Sequence, residues 1–113
     1  MKGKIVLIPF PFTDLSSTKL RPALVLFESE MDIVVAFISS KVPFSPPPGC
    51  VVVNTQHPEF IQTGLKVASV IRPDKVCTIL KELVIGEIGE IGVQIKEEVN
   101  QVIIRCFSFD ISG

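Results

Sequence analysis

The segment Lys19-Leu20-Arg21-Pro22-Ala23-Leu24-Val25-Leu26-Phe27 joins a basic, polar loop to an apolar strand. Pro22 fixes its own φ and biases the preceding Arg21 toward an extended conformation. The guanidinium of Arg21 is therefore expected at the mouth of the loop, where the rigid strand begins. An Arg-Pro pair in such a position is most often only a turn into a strand, so its meaning depends on the neighbouring segments.

The composition is that of an ordinary globular protein. The chain has 113 residues, of which 47% are hydrophobic and 20% charged, and its formal net charge is -1. This length supports one core but not two, so a single domain covering residues 1–113 is expected. Because the net charge is close to zero, a site for a polyanion must be a local patch. No apolar run approaches the ~20 residues of a membrane span, and the first residues lack a signal-peptide pattern, so a cytoplasmic location is expected.

The cysteines and the histidine limit the chemistry that one chain can perform. Cys50, Cys77 and Cys106 are odd in number, widely separated and set in apolar runs, which favours buried reduced thiols over a redox or metal site. His57 is the only histidine, so a His-His acid-base pair and a two-histidine metal site are both excluded. Its neighbour Pro58 favours a loop position for it. No metal or cofactor is expected.

Short β-type segments dominate the sequence. β-branched and aromatic runs, bounded by turn residues, predict strands at residues 4–12, 22–27, 32–39, 50–53, 66–72 and 75–80. Pro9 and Pro11 should face a sheet edge or a frayed strand end, and Pro73-Asp74 should separate the last two strands. No helix-length crossover lies between the strands, so the pattern predicts a mainly β fold, a small and strongly curved antiparallel barrel.

Three further segments complete the predicted fold. Residues 41–49 contain four prolines and should form a semi-rigid extended loop, with Phe44 at its centre able to pack on the domain or on a partner. Residues 85–92 are interpreted as a glycine-punctuated connector. From Val93 onward a carboxy-terminal amphipathic helix is predicted, although residues 102–104 also favour a strand. Its apolar stripe should cap one end of the barrel and consists of Ile95, Val99, Val102, Ile103, Cys106 and Phe107.

Two other strand ends carry polar side chains beside apolar runs. Ser39, Ser40 and Lys41 follow the third predicted strand, and Arg72 and Asp74 stand two residues apart. Residues i and i+2 of an extended chain face the same way, so Arg72 and Asp74 should meet if the intervening proline leaves the geometry extended. Taken singly, strand-end serines satisfy turn backbones and surface Arg-Asp pairs are common, so only the combination is informative.

Four segments together resemble the MazF/PemK family of toxin ribonucleases: GKIVLIPFPFTDL (3–15), KLRPALVL (19–26), AFISS (36–40) and GLKVASVIRPDK (64–75). The resemblance covers nearly the whole chain in the same order. It implies a strongly bent antiparallel SH3-like barrel of the CcdB/Kid type with short helices. It also implies a homodimer that cuts single-stranded mRNA at short recognition sequences without a metal, neutralised by an antitoxin protein that lays a peptide across the RNA groove.

The resemblance assigns catalytic roles residue by residue. The family's Arg before Pro at the end of the first hairpin loop falls on Arg21, and its Thr or Ser ending the third strand falls on Ser39. In the PemK branch an Arg and an Asp also take part, and they fall on Arg72 and Asp74. Two departures are present. Lys4 replaces the usual acidic residue after the first Gly, and Ser39 replaces the usual Thr, which removes the methyl group that stiffens χ1.

The chemistry of RNA cleavage suits these residue types. RNA supplies its own nucleophile, the 2′-hydroxyl, so the protein must align it and stabilise the charged phosphorane, and the products are a 2′,3′-cyclic phosphate and a 5′-hydroxyl. Arg21 can fork onto two phosphate oxygens, and Ser39 can donate to them or orient the 2′-hydroxyl. Asp74 is the candidate base, but Arg72 should depress its pKa, which favours electrostatic stabilisation over proton transfer. RNA contacts are expected from Lys19, Ser40, Lys41 and Lys75. The contacts of the basic groove should weaken with added salt, and this groove consists of Lys19, Arg21, Lys41, Arg72 and Lys75.

Two alternatives to a nuclease remain open. One is a binding or poisoning module on the same barrel, as in the related gyrase-inhibiting toxins. The combination of Arg21, Ser39 and the Arg72-Asp74 pair argues against it, because a pure binder does not need that set. The other is a degenerate family member kept for contacts with its antitoxin. The bases that are read, the identity of the antitoxin and the dimer interface do not follow from the sequence.

Overall fold

A computed structural model describes residues 1–10 and 19–111 of the chain. One antiparallel sheet runs through this part in the order β4-β5-β3-β2-β1-β6, and no helix in these two ranges is long and apolar enough to cross a membrane. The predicted mainly β fold is confirmed as a curled half-barrel with a carboxy-terminal helix. Its elements are β1 (Lys4–Phe10), β2 (Lys19–Glu28), β3 (Asp32–Ser39), β4 (Val51–Val53), α1 (Phe60–Thr63), β5 (Ser69–Leu80), a 3₁₀ helix (Lys81–Leu83), β6 (Gly86–Glu90) and α2 (Val93–Phe107).

Both faces of the sheet bury apolar side chains, because successive residues of a strand point to opposite sides. On one side, called here the helix face, Leu24, Ala36 and Ile71 form one cluster with the buried stripe of α2. On the other side, called here the open face, a second cluster is formed by Val6, Ile8, Ala23, Val25, Ile33, Val35 and Ile79. Partly buried Phe37 packs against this second cluster. The two faces give separate surfaces on which a site could be built.

The predicted carboxy-terminal helix is confirmed, and its stripe covers the helix face of the sheet. Ile95, Val99 and Val102 are buried within the cluster that includes β4 and β5 residues. Ile103 is partly buried against the same cluster, and the stripe stops after it, since Cys106 and Phe107 on the last turn are exposed. The prediction of buried thiols is therefore wrong for Cys106, because α2 extends past the core. All three cysteines are free, and Cys50 and Cys77 are half-buried.

Pro73 does not break the chain into two strands as predicted. β5 runs without interruption, and its pairing with β3 changes from Ala36↔Val76 to Phe37↔Arg72. Three residues of β5, 73–75, are therefore left over opposite β3. Such a bulge accommodates a proline, whose missing N–H would leave a gap in a regular ladder.

The interpretation of residues 85–92 as a connector is also wrong. Gly86–Glu90 forms β6 and pairs with the outer side of β1. Gly89 is required here by close packing, since a Cβ at this position would lie 2.4 Å from the carbonyl carbon and oxygen of Thr63 in α1. Gly89, one of the glycines that suggested a connector, thus permits β6 to pass close to α1.

The strand bounds at the first hairpin differ from the predicted ones. β2 begins at Lys19, so Arg21 lies within the strand, paired with Ile8 of β1, and not at the end of a loop. Pro9 pairs with Leu20 beyond the last β1–β6 pair, at the strand end, as expected of a residue without an N–H. The strand predicted at 4–12 is present to Phe10. The rest of that prediction, with Pro11 and the polar loop, lies outside the described residues.

Glu59 fixes the start of α2 from a distant part of the chain. Its two carboxylate oxygens accept hydrogen bonds from the backbone N–H groups of Gln94, at 2.9 Å, and Ile95, at 3.0 Å. The bond from Gln94 is the largest influence on the Glu59 carboxyl and lowers its pKa. Gly92 leaves room for this carboxylate, because a Cβ there would lie 2.4 Å from its Cδ. A negative charge at a helix N-terminus also interacts favourably with the helix dipole.

We expect Glu59→Gln to lower the melting temperature at neutral pH, because it removes the charge and one of two acceptors from the α2 terminus. The pKa of Glu59 is lowered in the folded state. Its contribution is therefore complete above its unfolded pKa and is lost as the pH falls through the folded value. The deficit of the variant should shrink over that acidic range, measured by circular dichroism melts. The control is Glu30→Gln in the exposed β2–β3 turn, and a deficit that does not change with pH would contradict this role.

Candidate active site

Arg21 and Ser39 lie at the same end of neighbouring strands. The last pair in the ladder between β2 and β3 is Ala23↔Phe37, and each of the two candidates lies two residues beyond it. Alternate residues of a strand share a face, so both belong to the open face together with Ala23 and Phe37. The cross-strand partner of Arg21, Ile8, is buried in the open-face cluster, which agrees with this assignment. The fold thus brings together two residues that are 18 positions apart.

The sequence explains why the strands are unpaired at this point. Pro22 follows Arg21 and has no N–H with which to continue the ladder toward β3. On its other side β3 remains paired, with Ser39 opposite Val70 of β5. The Ser39 backbone is therefore held in the sheet, while the space toward Arg21 is free of backbone pairing. A phosphate group is the kind of ligand that two such converging side chains can share.

The hydroxyl of Ser39 is oriented by the backbone. Its Oγ accepts a hydrogen bond of 3.0 Å from the N–H of Lys41. A hydroxyl has one hydrogen to donate, and with an acceptor position already used, that hydrogen is available to a ligand. The bond also restricts the side chain, which partly replaces the stiffness that the missing methyl of threonine would supply.

The guanidinium of Arg21 is exposed and available. It forms no hydrogen bond or ion pair with residues 1–10 or 19–111, and a guanidinium has five N–H donors to offer a ligand. A planar guanidinium binds two oxygens of one phosphate with two parallel hydrogen bonds. Arg21 therefore has the chemistry of an anion-binding group presented by a rigid strand.

Arg72 and Asp74 form the expected contact, although at a bulge and not at a strand end. The Nε and Nη2 atoms of Arg72 donate to the two carboxylate oxygens of Asp74, at 3.0 and 2.9 Å. This bond is the largest influence on both groups: it raises the pKa of Arg72 and lowers that of Asp74. Arg72 pairs with Phe37, so it lies on the open face. Its strand, β5, is next to β3 on the side away from Arg21.

The other candidate residues surround these positions. Lys19 begins β2 two residues before Arg21, on the same side of the strand. Ser40 and Lys41 come directly after β3, and Lys75 lies in the β5 bulge. All four are exposed. A local basic rim on a chain of near-zero net charge is the distribution expected for a polyanion site.

Sequence reasoning missed the part that the loop between β3 and β4 plays in this site. At the end of this loop Gly49 packs against the ion pair, since a Cβ on it would lie 3.2 Å from the Cβ of Asp74. The next residue, Cys50, has its pKa raised, chiefly by burial, which keeps the thiol protonated beside Arg72. No signal in the sequence links positions 49 and 74. The contact arises only because β4 pairs with β5.

Other features lie away from these residues or serve the fold. A groove of about 750 Å³ runs between α2 and the sheet on the helix face, lined by residues such as Leu24, Val99 and Ile103. His57 has a structural contact, since its Nδ1 accepts a hydrogen bond of 3.0 Å from the N–H of Glu59. In the described ranges, no three His, Cys, Asp or Glu side chains are grouped so that they could hold a metal ion. None of the candidate residues lines that groove.

Comparison with known proteins agrees with the four-segment resemblance. Residues 1–107 match the family described as "PemK-like, MazF-like toxin of type II toxin-antitoxin system". The chain belongs to this family. The match covers β1 to α2 and includes every candidate site residue. No curated protein matches the chain.

Solved structures of low sequence identity share the fold of this PemK-like, MazF-like chain. An endoribonuclease in complex with its cognate antitoxin, from a mycobacterial species, has 12% identity and a TM-score of 0.70, covering 97% of this chain and 98% of its own. The Mycobacterium tuberculosis toxin MazF-mt6 has 22% identity and a TM-score of 0.70, with 95% and 98% covered. MazF from Deinococcus radiodurans has 18% identity and a TM-score of 0.67, with 92% of each chain covered.

Proposed function

We propose that this protein is a sequence-selective, metal-independent endoribonuclease toxin that cleaves single-stranded mRNA. The observation that carries the proposal is the placement of Arg21 and Ser39 on one face, each two residues past the last β2–β3 pair. Membership of a toxin family supports it, as does the naming of structural neighbours as endoribonucleases. An exposed guanidinium and an oriented hydroxyl facing one space are suited to a single phosphodiester.

In this mechanism the RNA supplies the nucleophile. The 2′-hydroxyl attacks the adjacent phosphorus and loses its proton, the bond from phosphorus to the 5′-oxygen breaks, and that oxygen takes up a proton. The products are a 2′,3′-cyclic phosphate and a 5′-hydroxyl. Arg21 binds two non-bridging oxygens and stabilises their growing charge, and Ser39 donates to the phosphate or orients the 2′-hydroxyl. No covalent intermediate with the protein is required.

In this proposal Arg72 contacts the RNA next to the phosphate held by Arg21 and Ser39, and Asp74 positions Arg72. Asp74 is a weak base, because the bond from Arg72 lowers its pKa. Arg72 keeps its Nη1 group free of the carboxylate, since Nε and Nη2 make the two bonds. That free group can donate to RNA while Asp74 holds the guanidinium in position. Electrostatic stabilisation therefore contributes more than proton transfer by a side chain.

The partners follow from the same assignment. A cognate antitoxin protein would neutralise the toxin, as suggested by the neighbour solved in complex with its own antitoxin. A homodimer acting in the cytoplasm is the proposed working form. Single-stranded RNA would cross the open face past Lys19, Ser40, Lys41 and Lys75, and the contacts of the three lysines should weaken with added salt.

The test is incubation of the purified protein with mixed-sequence RNA in the presence and absence of EDTA. We expect cleavage that persists with the chelator, at a limited set of sequences, leaving 5′-hydroxyl ends that a polynucleotide kinase labels without prior phosphatase treatment. Cleavage abolished by EDTA would overturn the metal-independent mechanism. Intact RNA together with inhibited gyrase would instead support the poisoning module, and intact RNA with full antitoxin binding would support a degenerate family member.

A further inference from the structure

The loop between β3 and β4 holds one aromatic side chain entirely in solvent. Phe44 has a relative exposure of 105%, the largest of any apolar side chain in the described ranges. Prolines precede and follow it, at position 43 and at positions 46–48. The N–H of Cys50 donates to the carbonyl of Pro47 at 3.2 Å, which closes the end of the loop. Prolines restrict the backbone, so the ring is presented on a semi-rigid support.

Both ends of this loop lie at the candidate active site. It leaves β3 directly after Ser39, whose hydroxyl binds the N–H of Lys41. It returns at Gly49, which packs against Asp74 of the ion pair. Phe44 is five positions from either end, so its Cα lies within roughly 17 Å of both Ser39 and Gly49. The exposed ring is therefore carried by a short loop that is anchored at the site at both ends.

We propose that Phe44 is a stacking platform for a nucleobase of the single-stranded RNA held at this site. The inference rests on the proposed function and adds a substrate-binding residue to it. Unpaired bases stack on exposed aromatic rings, and such stacking tolerates any base because every base has a π face. Phe44 then holds the strand next to the scissile phosphate and does not take part in the chemistry.

The surroundings of Phe44 favour RNA over a protein as its ligand. A protein-binding surface presents a contiguous apolar patch with several buried anchors. Along the loop Phe44 stands between Pro43 and Ser45, and the loop begins at Ser40 and Lys41 and returns beside Asp74, the ion-pair partner of Arg72. A single aromatic ring on a loop whose two ends lie beside basic residues is the pattern of a groove for single-stranded nucleic acid, in which basic groups follow the backbone and rings receive the bases. The stiff loop also reduces the conformational entropy lost when the ring is covered.

The first experiment uses the absence of tryptophan and tyrosine from this chain. The Phe44→Trp variant then has a single fluorophore at the proposed platform. The probe is a mixed-sequence single-stranded oligodeoxynucleotide, which cannot be cleaved because it lacks the 2′-hydroxyl. We expect its addition to quench the fluorescence of the variant. The matched control is Phe27→Trp, whose side chain is 57% exposed near the other end of β2 and should not respond. Unchanged fluorescence at position 44 would overturn the proposal.

The second experiment measures cleavage and binding by Phe44→Ala. We expect KM for RNA and Kd for the oligodeoxynucleotide to rise roughly 5- to 150-fold, the range for loss of one stacked base, with little change in kcat. Phe44→Trp and Phe44→Tyr should restore both constants, and Phe27→Ala should behave as the parent protein. Normal RNA binding by Phe44→Ala with loss of inhibition by the antitoxin would overturn the proposal and assign Phe44 to a protein contact. If the parent protein binds the oligodeoxynucleotide and the fluorescence of Phe44→Trp is quenched, but neither protein cleaves RNA, the nuclease would be overturned and the platform would stand.

Discussion

Replacement of Arg21 by alanine should reduce kcat for RNA cleavage by about 10²- to 10³-fold, the range seen when one donor to a developing oxyanion is removed. The physical reason is that Arg21 presents an exposed guanidinium on the open face beside Ser39. It breaks no hydrogen bond or ion pair with the described residues when it binds a phosphate. Single-turnover cleavage of an RNA containing the recognised sequence measures the chemical step.

The size of the loss should depend on geometry and not only on charge. Arg21→Lys keeps the positive charge but replaces the planar fork with a point charge, so it should recover only a small part of the rate. The matched control is Arg105→Ala, since Arg105 is exposed on α2, the helix on the other side of the sheet. It should cleave as the parent protein does. Because Arg21 and Arg105 are both exposed, circular dichroism melts of the three variants should be nearly unchanged.

Cleavage by Arg21→Ala at the parent rate would remove this residue from the site. A full recovery in Arg21→Lys would mean that charge alone matters at position 21, and a bidentate phosphate contact would no longer be needed. If the melting temperature of Arg21→Ala fell strongly, the strand itself would depend on the side chain. That result would contradict its assignment as an exposed group.

Local patterns in the sequence were sufficient for most of the fold. Turn residues and β-branched runs located β3 at its observed bounds, and the 3.6-residue spacing of Ile95, Val99 and Val102 located α2. The errors have a common origin in long-range contacts. Position 89 in β6 requires glycine because a Cβ there would lie 2.4 Å from backbone atoms of α1. Cys106 is exposed because the core ends before the last turn of its helix.

The candidate site was predictable to a different degree at each residue. Arg21 and Ser39 could be named from the resemblance, and their common face follows from strand alternation once the register is known. The register itself was not available, because it depends on which residues of β2 and β3 pair. The contact of Gly49 with Asp74 could not be predicted for the same reason, since it depends on the pairing of β4 with β5. Strand periodicity is local information, and register is not.

The ion pair between Arg72 and Asp74 leads to the second large effect. We expect Arg72→Ala to lower kcat by about 10²-fold, as for the loss of one donor to the phosphate. Asp74→Asn should lower it only about tenfold, because asparagine still accepts a hydrogen bond but holds the guanidinium less firmly. The double variant should be no slower than Arg72→Ala alone, since Asp74 acts through Arg72. Single-turnover rates of the four proteins complete the cycle.

The same cycle separates a positioning residue from a general base. The pKa of Asp74 is lowered by Arg72, so the carboxylate is already ionised at every pH above its ordinary range and does not change charge near neutrality. The pH–rate profiles of the parent and of Asp74→Asn should therefore have the same shape between pH 5 and 8 and differ by a constant factor. If Asp74 were the general base, the pH–rate profile of Asp74→Asn would lose the acidic limb that the parent shows. The rate loss caused by Asp74→Asn would then also be seen in the Arg72→Ala background. Without Arg72 the pKa of the carboxyl would rise toward its ordinary value, so a limb that moves to higher pH in Arg72→Ala would be the sign that Asp74 takes the proton.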